Sequence, residues 1–277
     1  MYSRVYVEIT NICNMNCSFC HGTKRKKKQM TLGEFARVVG NLKGVTEYIY
    51  LHVLGEPLTH PMLFTFIEYA SKLGFKVAIT TNGSLLDKAG EGIIASGAYK
   101  VNISLHSFEG ESEDMQTDYV SECIDFADKA SKAGVLTVLR LWNKGSDGEL
   151  KNDKTLEILK ERFDFPWTEG ARGARIRDKL HVEYGERFVW PDINAEDKGD
   201  RVFCYGLSDH FAILVDGSVV PCCLDAEGDM TLGNIFEQDI RTILSAPRAI
   251  AIRQGFEKKV ATEELCKKCA YARRFKI

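Results

Sequence analysis

Of the nine cysteines in this 277-residue chain, only Cys123 stands outside two groups. That distribution constrains the fold more than any other feature. Cys13, Cys17 and Cys20 share one short stretch near the start, while Cys204, Cys222, Cys223, Cys266 and Cys269 occupy the last quarter. The opening Met1-Tyr2-Ser3-Arg4-Val5 lacks the charged-then-apolar layout of an export signal. In a chain of this size, thiols grouped this way point to reduced metal ligands rather than to a disulfide framework. The simplest arrangement is two metal sites. The fold must hold one loop of three thiols and gather, separately, thiols spread between residues 204 and 269.

Short β-branched or apolar runs at residues 4–10, 48–53, 76–81, 99–105 and 136–141 predict five strands. Between them, residues 31–41, 62–73, 87–96 and 116–133 carry apolar side chains at helical spacing, with Gly74 and Gly134 as stops. This alternation predicts an α/β fold of βα units around a parallel sheet. A helix over 149–163 and a strand near 179–184 extend the series to a sixth unit, although Pro166, Gly170 and Gly173 break the pattern between them. The polar stretch 192–201 marks a boundary, giving domains at 1–190 and 191–277. The smaller domain opens with a hairpin, 211–215 and 218–221 around Asp216-Gly217. Short helices at 240–244 and 247–254 then lead to the last cysteine pair.

Cys13, Cys17 and Cys20 follow the first predicted strand, so they fall at the carboxyl edge of a parallel sheet, where such architectures place chemistry. Three thiolates ligate three irons of a four-iron cube and leave the fourth open to an exchangeable ligand. A structural zinc ion wants four closed ligands, and His21, adjacent to Cys20, would have to chelate through a strained geometry. Cys204, Cys222, Cys266 and Cys269 are enough to close one further cube, with a zinc ribbon as the plain alternative. Cys223 is surplus to that set. Cys123, within an amphipathic helix, is expected to be buried and inert.

At this point the sequence resembles the radical S-adenosylmethionine superfamily, whose hallmark is CxxxCxxC after the first strand of a partial (β/α)6 barrel of TIM type. The resemblance implies that Cys13, Cys17 and Cys20 hold a 4Fe-4S cluster that binds S-adenosylmethionine, with Phe19 near the adenine. Leu54-Gly55-Glu56-Pro57 stands where the family carries Gly-Gly-Glu-Pro, so Leu54 replaces the first glycine. It implies that Gly55 and Glu56 hold the methionine amino group, the carboxylate through a charge-assisted pair. Thr80-Thr81-Asn82-Gly83 and Asn102-Ile103-Ser104-Leu105-His106 are similar to cofactor-lining segments, which implies contacts from Asn82 and a ribose contact from Ser104. Arg140, on the fifth strand, suits the methionine carboxylate in two-pronged fashion. The second cysteine group resembles the shortened twitch form of the SPASM domain: one cysteine, a GxxxxC hairpin from Gly217 to Cys222, and the CxxC of Cys266 and Cys269. One auxiliary 4Fe-4S cluster is implied.

The activity so implied is hydrogen abstraction by a 5′-deoxyadenosyl radical from a peptide or protein substrate, with the auxiliary cluster accepting an electron: an oxidative peptide modification. Dehydrogenation of a small-molecule alcohol, such as a sugar or aminocyclitol, is the alternative within the enzyme class. Outside it stands a non-enzymatic iron-sulfur or zinc module. Because the core starts near Arg4, no leader-binding domain is expected before it, and a separate partner would supply one. Reduced flavodoxin or ferredoxin is the expected electron donor. The basic run at residues 24–28 fits such an acidic partner, a phosphate-bearing substrate, or simply a solvated loop. A net charge of -2 excludes a bulk pull toward nucleic acid, and no apolar run reaches membrane-span length, so a cytoplasmic enzyme is expected. Among scattered histidines, His106 draws attention because its strand end faces the cofactor. Trp142, Tyr184 and Trp190 are candidates for a substrate wall or for core packing.

Overall fold

The computed structural model describes residues 1–108 and 113–275. The alternating half of the chain comprises β1 (Arg4–Val7), α1 (Leu32–Leu42), β2 (Tyr48–Tyr50), α2 (Leu63–Lys72), β3 (Lys76–Thr81), α3 (Leu86–Ala95), β4 (Lys100–Ser104), α4 (Glu113–Lys132), β5 (Leu136–Lys144) and α5 (Asn152–Arg162). Then come β6 (Thr168–Gly170), β7 (Gly173–Arg177), β8 (Leu180–Glu186), β9 (His210–Ile213), β10 (Ser218–Val220) and β11 (Gly233–Asn234). Three helices close the chain: α6 (Ile240–Leu244), α7 (Pro247–Glu257) and α8 (Glu264–Lys268). Every predicted strand and helix is present, several of them shorter than expected.

The chain divides into two compact units. One holds Met1–Asn14, His21–Gly55 and Phe188–Ile277; the other holds Met15–Cys20 and Glu56–Arg187. In the first unit the strands run β11-β10-β9-β1-β2. Val5 on β1 faces Ile49 on β2 and Phe211 on β9, both in parallel register, while β10 returns antiparallel to β9. Val5, Val7, Ile49, Phe211 and Ile213 are fully buried, as are Phe35, Val38, Val39 and Leu42 on the apolar face of α1. Each contributes about 1.5–3 kcal/mol by leaving water. Thr31 and Glu34 form a reciprocal capping box that starts α1 at that point.

In the second unit the order is β3-β4-β5-β8-β7-β6. The first four strands are parallel, and β7 and β6 fold back antiparallel. Gly170 and Gly173, which interrupt the sequence pattern, thus belong to a tight hairpin inserted ahead of β8, with Pro166 just before it. Gly173 takes φ +144°, and a Cβ there would collide with the Val182 carbonyl oxygen, so the turn requires glycine. Side chains alternate across this sheet. Val101, Ile103, Leu139, Leu141 and Val182 are buried on one face, together with Val120, Ile124 and Ala127 of α4. Lys100, Ser104, Leu136, Arg140, Trp142, His181 and Glu183 stay partly open on the other. Cys123 on α4 is fully buried, and burial pushes its thiol far up, as expected of an inert cysteine. Among the described residues, no helix is long and apolar enough to cross a membrane.

Candidate active site

Between β1 and α1 the chain carries its first three cysteines. Cys13 lies in the first unit, Cys17 and Cys20 in the second. The Cys20 N–H donates to the Cys17 carbonyl at 3.0 Å, closing a turn. Cys17 Sγ donates to the carbonyl oxygen of Ser107, just past β4, at 3.6 Å. Between the two cysteines, Phe19 places its ring 5.1 Å from that of His106 and 5.5 Å from the Arg187 guanidinium. This part of the loop is therefore held at the carboxyl end of β4, the edge expected from the sequence.

Glu56 opens the second unit's main segment and is 2% exposed. Its Oε1 accepts from Thr81 Oγ1 at 2.7 Å and from the Leu58 N–H at 3.0 Å; its Oε2 accepts from the Asn82 N–H at 2.6 Å. Burial outweighs these three donors and pushes the carboxyl up to about 7. An ammonium bound to this carboxylate would restore its charge, so the site fits the amino group expected there. Gly55 beside it has φ +76°, and a Cβ would stand 2.5 Å from the Thr10 carbonyl oxygen and 2.9 Å from that of Ile12. Only glycine lets this turn approach the backbone leading into Cys13. Leu54, the departure from the family pattern, is buried with Val53, Ala212, Leu214, Val220 and Ala226. Its side chain fills a hydrophobic cluster against β9 and β10.

A buried ion pair missed in the sequence supports this region. Glu8 is fully buried and accepts from Arg25 Nη2 at 2.7 Å, the Val215 N–H at 3.0 Å and the Leu54 N–H at 3.3 Å. Arg25 Nε also donates to the Ala226 carbonyl at 2.8 Å. One carboxylate thus ties together the basic stretch of the cysteine loop, the turn before Gly55 and the hairpin after β9. A charge inside the apolar run Val5 to Ile9 was the available signal. Lys27 Nζ donates to the Asn11 carbonyl and Lys28 Nζ to Glu34, so much of the basic run is structural.

At the ends of β3 and β4 the expected contacts are close together. The Asn82 carbonyl accepts from Tyr119 Oη at 2.6 Å, and the same hydroxyl lies 3.0 Å from the Ser104 carbonyl. The Asn82 side chain caps its own turn, accepting from the Ser84 N–H and Oγ. Ser104 and Arg140 are register partners on the open face, and Arg140 pairs in turn with Glu183. The Arg140 guanidinium sits 4.4 Å from the centre of the Trp142 ring and 3.5 Å from Glu183. Asn102 is fully buried; its amide donates to Ile79 and Thr80, while its Oδ1 meets no donor among the described residues. An orphaned acceptor of this kind costs about 1–3 kcal/mol. His106 is pushed down to about 4 by burial, and its Nδ1 lies 3.3 Å from the Trp142 N–H as acceptor. The same Nδ1 also lies 3.2 Å from the Arg140 carbonyl oxygen, so as a donor it meets Arg140 and as an acceptor Trp142, according to its tautomer.

The second cysteine group converges within the first unit. Burial pushes the thiols of Cys204, Cys222, Cys266 and Cys269 up. Beyond burial, Cys222 and Cys266 both feel Cys204, and Cys269 acts on Cys204 and Cys266. Such thiols stay protonated until a metal displaces the proton. Cys223 differs. Its thiol hydrogen-bonds Tyr6 and packs on the Leu54 cluster, and burial holds it near 11. Asp225, 1% exposed, accepts the N–H groups of Asp229 and Met230, both at 2.9 Å, and Met230 Sδ lies 3.5 Å from Cys266 Sγ. Among the described residues, no three His, Cys, Asp or Glu side chains stand close enough to clasp a single ion.

A sequence model of the Radical SAM superfamily matches residues 7–143, and one for SPASM, an iron-sulfur cluster-binding domain, matches residues 204–270. The chain belongs to the radical SAM superfamily. As a radical SAM enzyme with a SPASM segment, it uses 4Fe-4S clusters and S-adenosylmethionine. It is 27% identical over 201 residues to the S-adenosylmethionine-dependent nucleotide dehydratase of Selenomonas ruminantium, covering 67% of this chain and 69% of that one. With the GTP 3′,8-cyclase of Alkaliphilus oremlandii it shares 29% over 179 residues, 60% of this chain and 55% of the relative. Solved structures with the same partial TIM barrel include BtrN in complex with AdoMet and 2-DOIA, at TM-score 0.59 and 18% identity over 98% of this chain and 93% of BtrN. Another is anSMEcpe with bound AdoMet, at TM-score 0.65 and 14% identity over 98% and 84% of the two chains. Streptococcus suis SuiB bound to its precursor peptide SuiA gives TM-score 0.56 and 15% identity over 99% and 72%.

Proposed function

We propose that this radical SAM enzyme oxidises a peptide or protein side chain in the cytoplasm, removing one hydrogen atom, one electron and, to a base or water, one proton, with reduced flavodoxin or ferredoxin as donor. The observation that carries the oxidative reading is that the match to an iron-sulfur cluster-binding domain, residues 204–270, contains Cys204, Cys222, Cys266 and Cys269. In this reading those four thiolates hold the auxiliary cluster in a segment spanning 191–277, and Cys13, Cys17 and Cys20 hold the first cluster in a core spanning 1–190. When bound, these groups with S-adenosylmethionine supply the 5′-deoxyadenosyl radical and an acceptor for the remaining electron.

The chain's own side chains orient the cofactor. Glu56 takes the methionine ammonium and Arg140 its carboxylate; Ser104 and Asn82 line the ribose side, and Phe19 lies against the adenine. Gly55 keeps the turn close to the loop backbone, and Glu8 with Arg25 holds that loop in place.

Similarity to SuiB, solved with a precursor peptide, supports the peptide substrate. Near-complete alignment with BtrN, solved with 2-DOIA, favours a second reading, oxidation of a small-molecule alcohol. Offering reconstituted enzyme peptides and aminocyclitols separately tests both. A peptide product lighter by two hydrogens supports the first reading, and oxidation of the aminocyclitol alone supports the second. In either case Cys266→Ala/Cys269→Ala should still form 5′-deoxyadenosine but no oxidised product. Undiminished product from that variant contradicts the oxidative reading.

A further inference from the structure

The open face of the second unit carries a second feature below the proposed cofactor contacts. A cavity of about 400 Å³ is bounded by Lys100 on β4, Arg175 on β7, His181 on β8 and Arg172 in the β6–β7 turn. Val138 pairs with His181 across the β5–β8 ladder, and Arg175 with His181 across β7–β8, which sets these side chains on one face. Gly170 and Gly173, opposite each other in the hairpin, also line it. The acid at the rim, Glu183, is already 3.5 Å from Arg140. Lys100, Arg172 and Arg175 stand here against two acids, Glu183 and Asp178. The field is felt by His181, which burial, then Arg175 and Lys100, push below its ordinary range against the opposing pull of Asp178.

We propose that this cavity is an anion site for a phosphate monoester carried by the substrate. Guanidinium groups from two positions meet phosphate oxygens in two-pronged fashion, and Lys100 adds a point charge. Position supports the same role. Ser104 lies four residues beyond Lys100 on the same face of β4, about 13 Å along the strand. Glu183, which lines the cavity and lies 3.5 Å from Arg140, connects it to the residues assigned to the cofactor. The link to catalysis rests on the proposed function; the binding itself does not.

Calorimetric titration of the reconstituted holoenzyme with inorganic phosphate, in chloride buffer, tests the site without turnover. Saturable binding is expected, weakened about tenfold by Arg175→Ala and by Lys100→Ala, a change of about 1.4 kcal/mol. Arg175→Lys should restore part of it, and Lys154→Ala, on the outer surface of α5, should leave it unchanged. Competition by glycerol phosphate against a phosphoserine peptide then identifies which source of the monoester is preferred. Absence of saturable phosphate binding, or binding unaffected by both alanine substitutions, overturns the proposal. Tighter displacement by an unphosphorylated acidic peptide than by either phosphate probe also overturns it. Failure here leaves the oxidative reading standing, and failure of cofactor cleavage leaves this binding test intact.

Discussion

The backbone N–H of Asn82 donates to Glu56 Oε2 at 2.6 Å, fixing a buried carboxylate at the end of β3. With burial holding that carboxyl near 7, an ammonium must bind its ionised form. S-adenosylmethionine affinity should therefore fall as pH drops below 7, approaching about tenfold per pH unit. Glu56→Gln should weaken binding by about 1.5–3 kcal/mol, the value of a charge-assisted hydrogen bond, and flatten the profile. Equilibrium dialysis across that pH range checks both. Since the folded carboxyl lies above its ordinary 4.5, the ligand-free fold should lose stability as pH rises from 4.5 through 7.

Glu8 and Arg25 meet at 2.7 Å with side chains 0% and 12% exposed. Removing one partner strands a buried charge, so Arg25→Ala should destabilise the fold by about 3–5 kcal/mol in chemical denaturation. Replacing both by apolar residues should cost far less.

Local signals made the βα alternation legible. Apolar runs and glycine stops each act within a few residues. Two features left no such trace. The parallel pairing of β9 with β1 joins residues 4 and 210, and nothing near either position encodes it. The β6–β7 hairpin is polar and short, so its glycines looked like an interruption. At the candidate site, the cysteine spacing and the Gly55-Glu56 turn were readable because chemistry restricts residue type there. Tyr119 was not, since one tyrosine on an amphipathic helix looks like any other core aromatic until its hydroxyl is seen between Asn82 and Ser104.

Neighbouring Cys222 and Cys223 should behave differently. Cys222 lies among Cys204 and Cys266, while Cys223 bonds Tyr6. Cys222→Ala should remove the auxiliary cluster, about four irons per chain, and Cys223→Ala should retain it. Iron and sulfide analysis after anaerobic reconstitution distinguishes them; equal loss in both variants contradicts the assignment.

His106, held near 4 by burial, is neutral in the fold and ordinary near 6.5 when unfolded. Its contribution is present above pH 6.5 and should be lost as pH falls from 6.5 through 4. Denaturation midpoints over that window should decline less steeply in His106→Gln.

In the proposed function Cys13, Cys17 and Cys20 serve radical initiation. The direct measurement is 5′-deoxyadenosine formation by anaerobically reconstituted protein given S-adenosylmethionine and a strong reductant. Formation by the native chain, and its loss in Cys13→Ala, Cys17→Ala and Cys20→Ala, is the predicted result. No 5′-deoxyadenosine from iron-loaded native protein, or undiminished formation after those substitutions, would contradict it.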